Sequence, residues 1–168
     1  MLDASQDTAR RLRSAFGSFA TGVTVVTLRD ENAAPTGLTI NSFSSLSLDP
    51  ALLLFSVGRN QPSLMRLEAG EHFNVNVLGR TQEDLAWHFA RRRDDKFEDV
   101  PWIEGYNGMP LIEGAIARFE CRKWQIMDGG DHRIVVGEIE DFSIVDEDPL
   151  LFFRGRMGQL CADATEGE

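Results

Sequence analysis

No stretch of this 168-residue chain approaches the roughly 18 consecutive apolar residues that suggest a transmembrane helix. The first seven residues, Met1-Leu2-Asp3-Ala4-Ser5-Gln6-Asp7, have neither a basic start nor an apolar secretory core. Cysteine is scarce: Cys121 and Cys161 stand far apart without a CxxC pair, which excludes a disulfide framework and fits a reduced, cytoplasmic setting. Cys121 lies in an apolar run and reads as core. The three histidines, His72, His88 and His132, are scattered with no HxH, HExxH or Cys/His spacing, so no metal site is expected. No GxGxxG follows a strand, which speaks against a Rossmann nucleotide fold; a Walker loop and a GxSxG elbow are missing too. Positive charge is in the minority, 17 Lys and Arg against 27 Asp and Glu for a net charge of −10, so nucleic acid is an unsuitable partner. Arginines such as Arg59, Arg66, Arg91 to Arg93, Arg154 and Arg156 can still bind a phosphate locally.

What is present is an ordinary globular mix, 42% hydrophobic and 26% charged. The length suits about one domain with one substantial core. We expect a single unit over 1–168, with its core at about 12–155 and an acidic tail at 162–168. Leu12, Ala15, Phe16, Phe19 and Ala20 recur at helical spacing and predict an amphipathic helix from Thr8 to Ala20. Val23 to Leu28 is rich in β-branched residues and predicts a strand, with Thr36 to Ile40 returning beside it after a turn. Ala51 to Val57 reads as a buried strand, and Leu64 to Glu68 as a short helix with Ser63 as its N-cap. Phe73 to Leu78 alternates as a strand with one apolar face. Thr81 and Asp84 resemble a capping pair for a helix running to about Arg91. The charged, aromatic stretch from Arg91 to Met109 reads as a loop, and long ordered loops are usually functional. Two long strands, Ala115 to Met127 and Arg133 to Val145, and a last one at Leu150 to Phe153 complete the pattern. Many strands with antiparallel connections argue for a β-barrel over a parallel α/β sheet. Glu71, Glu83, Asp84, Asp94 and Asp95 read as solvated faces.

Two segments carry the chemistry. Thr36-Gly37-Leu38-Thr39-Ile40-Asn41-Ser42-Phe43-Ser44-Ser45 gathers hydroxyls, an amide and main-chain N–H groups after a hydrophobic run. Such a cluster suits an acceptor-rich ligand, a phosphate or the edge of a flavin ring. Far downstream, Gly129-Gly130-Asp131-His132 sets a titratable imidazole beside two glycines, where backbone can approach a flat ligand closely.

With Asp49-Pro50 and the strand end Ser56-Val57-Gly58-Arg59, these motifs resemble the flavin reductase family with the FMN-binding split barrel. Its members are the small NAD(P)H-dependent partners of two-component monooxygenases. The resemblance runs from about Phe16 to Phe153. It implies a mainly β fold, a split β-barrel with a few peripheral helices, working as a homodimer with flavin in a groove near the subunit interface. FMN or FAD would be the flavin and NADH or NADPH the co-substrate, with hydride passing to flavin N5. Reduced flavin would then leave for a flavin-dependent oxygenase. The resemblance makes His132 the residue facing flavin and nicotinamide, in a turn with Gly130 and Asp131. It makes Thr36 a cofactor-binding residue, wraps the loop of Thr39, Asn41 and Ser42 around the ring edge and phosphate, lays Ser56 and Val57 along the ring with Gly58 next to them, and runs the segment Arg59-Asn60-Gln61-Pro62-Ser63 by the phosphate. His88, Phe89, Lys96 and Phe97 would approach the phosphate or adenylate end, although Trp87 and Phe89 also read simply as core or dimer contacts. Relatives often carry Cys or Val, then Asp or Asn, where this chain has Ser56 and Gly58. Three other readings stay open: a pyridoxamine-phosphate-oxidase-like enzyme, a flavin- or haem-binding carrier without turnover, and a lipocalin-like barrel for an apolar ligand.

Overall fold

Three helices and ten short or medium strands lead into and out of one long hairpin. The structure, a computed structural model, describes residues 5–93 and 95–161; Asp94 and the expected acidic tail lie outside the described residues. In chain order the elements are α1 (Gln6–Phe16), β1 (Thr21–Gly22), β2 (Thr24–Arg29), β3 (Pro35–Ile40), β4 (Ser44–Leu48) and β5 (Ala51–Gly58). Then come α2 (Pro62–Ala69), β6 (His72–Val77), α3 (Glu83–Ala90), β7 (Trp102–Glu104) and β8 (Pro110–Ile112). The hairpin of β9 (Ala117–Gly129) and β10 (His132–Ile144) follows, then β11 (Leu151–Phe153) and β12 (Arg156–Gly158).

Seven strands form an antiparallel sheet in the order β3-β2-β6-β9-β10-β5-β4. Two small sheets, β1-β11-β12 and β7-β8, flank it. The large sheet curls so that its β3 end approaches β5, where the hydroxyl of Ser42 just beyond β3 bonds both main-chain groups of Ser56 in β5. Val26, Leu28, Leu38, Ile40, Phe55, Phe73, Val75 and Val135 fill the interior. Neighbours on the same strands face the other way: Val23 and Val25 join Leu78, Ala86, Phe89, Phe97 and Ile112 in a second cluster beneath α3. Burial on both faces explains why β2 reads as an unbroken β-branched run. Gly37 is what lets α3 lie so close to β3. A Cβ there would stand 2.8 Å from Val26 O and 3.0 Å from Phe89 Cε1.

The β9–β10 hairpin turns on two residues, Gly130 and Asp131, closed by the pair Gly129–His132. Gly130 has φ +76°; a glycine in that conformation at the first central position is the signature of a type II′ turn, whose twist matches the flanking strands.

The structure departs from the sequence reading in several places. Helix α1 stops at Phe16, four residues early, with Gly17 as its C-cap and Ser18 and Phe19 bonding back in one more turn. In α2 the N-cap is Gln61 and Pro62 takes the first helical positions, where its missing N–H does no harm; Ser63 is therefore inside the first turn. Gln82, not Thr81, stands at the N-cap of α3, and its Oε1 accepts from Gly79 N at 3.0 Å. The expected loop at 91–109 contains β7, which pairs with β8, and β4 and β12 are strands where none was expected. Among the described residues no helix is long and apolar enough to cross a membrane.

Cys121 is fully buried and Cys161 exposed, both as free thiols. Burial pushes the Cys121 thiol far up, and the carboxylates of Glu140 and Glu120 push it further. Only thiolate reacts readily, so at neutral pH a thiol reagent should label Cys161 promptly and Cys121 only after denaturation. Equal labelling of both in the folded protein would show that this part of the core is open.

Candidate functional site

Beside the Ser42–Ser56 contact, two cavities of about 530 Å³ and 220 Å³ lie side by side, sharing Leu38, Thr39 and Gln61 in their walls. The smaller is walled by Thr39, Asn41 and Ser42 on the β3 side and by Ser56, Val57 and Gly58 on the β5 side, with His132 at its end. The larger lies between Thr36 to Thr39, the start of α2 at Pro62 and Ser63, and the end of α3 at Phe89 and Ala90. Arg66, Arg91, Arg92, Arg93 and Lys96 stand around it.

Each wall has a local cause. Ser56 N donates to Ser42 Oγ at 3.0 Å, and Ser42 Oγ donates back to Ser56 O at 3.1 Å. Thr39 Oγ1 donates to Ala86 O at 2.6 Å, tying β3 to α3. In the β5–β10 register His132 stands opposite Gly58, and a Cβ on Gly58 would lie 3.8 Å from His132 Nε2. A side chain at 58 would therefore occupy the space that the imidazole overlooks. The other ring nitrogen, Nδ1, is 2.7 Å from Asp131 Oδ1. That hydrogen bond, together with the charge of His132, holds the Asp131 carboxyl below its usual range; Arg13 adds a smaller pull. With Nδ1 engaged, Nε2 is the nitrogen left for the groove.

Twelve of the residues singled out from sequence share this groove: Thr36, Thr39, Asn41, Ser42, Ser56, Val57, Gly58, Pro62, Ser63, Phe89, Lys96 and His132. The other five stand elsewhere. Arg59 bonds the hairpin turn: its N donates to Asp131 O at 3.0 Å and its Nε to Gly130 O at 2.7 Å. Gly130 and Asp131 form that turn. His88 points to the far side of α3, where its Nε2 donates to Lys96 O at 2.9 Å and its Nδ1 accepts from Arg93 Nη1 at 3.3 Å. Phe97 is buried, edge-to-face with Phe89 and Trp102 at centroid distances of 5.1 and 5.7 Å. Lys96 lines the groove, yet its ammonium donates to Phe89 O at 2.9 Å and to Arg91 O, carbonyls at the end of α3. Burial, then the neighbouring Arg93, lowers its pKa.

Leu38 has no role assigned from sequence, whereas Gln61 lies in the segment expected by the phosphate and Arg66 among the arginines able to bind one. Gln61 and Arg66 follow once Pro62 is placed at the start of a helix, since Arg66 then sits one turn along on the same face. The finished groove has a narrow end walled by extended backbone and hydroxyls and a wide end walled by a helix N-terminus and guanidinium groups. A flat, acceptor-edged ring suits the first, and an anion the second.

Residues 16–160 match the flavin reductase like domain. The chain belongs to that family. The reductase component of the flavin-dependent trigonelline monooxygenase of Acinetobacter baylyi is 43% identical over 146 residues, 87% of this chain and 47% of that protein. An FMN reductase (NADH) of Agrobacterium fabrum is 40% identical over 154 residues, covering 92% of this chain and 87% of the relative. The NADH:FAD oxidoreductase of Streptomyces globisporus, solved with NAD and FAD fragments, superposes with a TM-score of 0.90 at 40% identity over 98% of this chain and 99% of that one. The chain spans about half the length of some curated relatives, 47% of the Acinetobacter protein and 53% of a probable flavin reductase from Rhizobium meliloti.

Ser42→Ala tests the seam on which this family's groove rests here. The substitution removes both bonds and leaves a main-chain N–H and C=O of Ser56 without them, a loss of about 1–3 kcal/mol. The melting temperature should fall by about 2–4 °C for each kcal/mol. A variant that melts with the wild type would show that the seam contributes nothing.

Proposed function

We propose that this chain is an NAD(P)H:flavin oxidoreductase that reduces FMN or FAD and passes the reduced flavin to a separate flavin-dependent oxygenase. The observation that carries this reading is the adjacency of the two cavities. A slot between the Ser42–Ser56 contact and the imidazole of His132 shares the wall of Leu38, Thr39 and Gln61 with a basic cavity at a helix start, an arrangement that suits a ring joined to a phosphate. Gly58 leaves that wall as bare backbone beside the imidazole, since a Cβ there would stand 3.8 Å from His132 Nε2. The relatives' names support it as well: an FMN reductase (NADH), an NADH-dependent FAD reductase and several monooxygenase reductase components.

In this reading the main chain of Ser56 to Gly58 lies along the ring, and the Asn41 amide and nearby hydroxyls meet its polar edge. Thr36, Ser63, Arg66 and the first-turn amides of α2 hold the phosphate. Asp131 fixes the tautomer of His132, so that Nε2 meets the nicotinamide and holds its carboxamide side in register. A bound flavin supplies the acceptor for the hydride, and the protein's share is alignment and exclusion of water. No proton need pass through His132 for that transfer.

The working unit in this reading is a single-domain subunit of a homodimer in the cytoplasm. Among the described residues α1 buries none of its own, and Phe16, Phe19, Leu48 and Ile144 are 72%, 77%, 96% and 77% exposed. Phe142 likewise brings the stacked row of Phe43 and Phe119 to the surface. Apolar surface on this scale suits a second copy of the chain. Two unpaired thiols suit a reducing compartment.

Purified chain mixed anaerobically with FMN or FAD and with NADH or NADPH should bleach the flavin while the nicotinamide is oxidised. If none of the four pairings reacts, the reading fails; a tightly bound yellow flavin without oxidation of either nicotinamide would replace it with a carrier. Light scattering should return twice the mass of one chain, and a monomer at micromolar concentration would overturn the dimer.

A further inference from the structure

We propose that Arg59 is a positioning residue that grips the hairpin turn bearing His132 and so sets the direction of the imidazole, and that it is not a ligand of the flavin phosphate. The proposal rests on the reading of the groove given above.

Arg59 directly follows Gly58, the last residue of β5, and Gly58 is the register partner of His132. From that place Arg59 reaches across to the turn three times. Its main-chain N donates to Asp131 O at 3.0 Å, its Nε donates to Gly130 O at 2.7 Å, and its Nη2 pairs with the Asp128 carboxylate. Nε and Nη2 lie on one edge of the rigid guanidinium plane, so both side-chain bonds form from a single orientation. Asp128 is the penultimate residue of the incoming strand while Gly130 and Asp131 are the turn itself, so the fork ties the turn to the strand that enters it. The described residues walling the two cavities do not include Arg59. Its charge is spent on the hairpin.

The turn needs such a grip. Asp131 and His132 have side chains 93% and 49% exposed, so little packing restrains them, and exposed turns open easily. The Asp131–His132 hydrogen bond depends on where the Asp131 backbone sits, and Arg59 N–H bonds that backbone. Exposed ion pairs add little to global stability, so replacing Arg59 should spare the fold. The effect falls on orientation. If the imidazole faces the groove only a fraction of the time, apparent affinity for the ligand it meets drops by that fraction. The nicotinamide depends on the imidazole for its alignment, whereas the flavin, which also borders His132, is held mainly by the barrel walls and the phosphate end.

The test is a double-mutant cycle of Arg59→Gln with His132→Ala, with Arg59→Lys alongside, in full Michaelis analyses for both substrates. Arg59→Gln should raise the KM for NADH about five- to tenfold, leave kcat within about twofold and move the flavin KM by less than about twofold; melting should match the wild type. Arg59→Lys, which can make one of the two side-chain bonds, should recover part of the loss. In the His132→Ala background Arg59→Gln should add less than about twofold, because the group it positions is gone. A rise in the flavin KM of equal size in both backgrounds would make Arg59 a phosphate ligand and overturn the proposal, as would an unchanged KM for NADH. The imidazole nitrogen resonances of His132 read the turn without turnover. They should shift in Arg59→Gln, and identical spectra would overturn the proposal even if no reductase activity were found. A wild-type protein with no NADH oxidation but with shifted resonances would sink the functional reading and leave the clamp standing.

Discussion

β4 covers the free edge of β5 only from Ala51 to Leu54, while β5 runs on to Gly58. Past Leu54 the strand has main-chain groups facing away from β10 with no strand to receive them, and such groups must find another partner if water is kept out. The Ser42 hydroxyl is that partner, donating to one Ser56 group and accepting from the other. One side chain thus replaces a missing rung of the ladder and holds the β3 end of the sheet to β5. Because it is a single rung, the seam between β3 and β5 is one residue long and no strand ladder joins them. The wedge left open on either side of that contact is the groove. Extended backbone from Ser56 to Gly58 is exposed to a ligand for the same reason that the ladder is incomplete there.

A second constraint lies on the opposite side of β2. Asn74 and Asn76, alternate residues of β6, are completely buried together with Thr27, and Glu120 is nearly so. Asn74 Nδ2 donates to Met109 O at 3.1 Å, and Asn107 Nδ2 donates to Asn74 Oδ1 at 2.8 Å. Asn76 Oδ1 accepts from Ile112 N at 2.9 Å, while its amide donates to Val25 O at 3.1 Å. These bonds pin the segment carrying β8 against the barrel wall in place of apolar contact. Satisfied buried amides of this kind fix one arrangement, since any slippage leaves several groups unpaired at once. The same segment backs Phe97 and Trp102, which in turn support Phe89 at the groove.

How much of this could be read from the chain follows from what each signal encodes. Strands β2, β3, β5 and β6 and the long hairpin were legible because β-branched runs and strict alternation report burial directly. The alternation in Phe73-Asn74-Val75-Asn76-Val77 identified the strand and its apolar face, but nothing local says that the asparagine face is also covered, because its cover arrives from thirty-odd residues downstream. Strand β4 was illegible: Ser44-Ser45-Leu46-Ser47-Leu48 is exposed and serine-rich, and its pairing is dictated by β5. The helix starts were misread where Gln holds the N-cap, a residue with no strong preference there. In the groove, residues contiguous along extended backbone were brought together as the motif implied. On helices adjacency in sequence is a poor guide, because neighbours point about 100° apart. Phe89 faces the groove and His88 therefore cannot. Lys96 and Phe97, in the irregular chain after α3, also divide, one at the cavity wall and one in the core.

Net charge was the coarsest signal, and the structure shows why it did not decide the ligand. A chain of net charge −10 places Arg66, Arg91, Arg92 and Arg93 around one cavity. Surface charges more than about 10 Å apart are largely screened at ordinary ionic strength, so an anion in that cavity responds to the arginines near it far more than to the distant acidic surface. Lys96, the other cation there, is already committed to the carbonyls at the end of α3, and Arg93 contributes to lowering its pKa. Its contribution is to neutralise the negative end of a helix dipole that points toward the cavity. The basic character of the cavity therefore comes from two helices treated oppositely: the start of α2 is left open to donate, and the end of α3 is capped so that it does not repel.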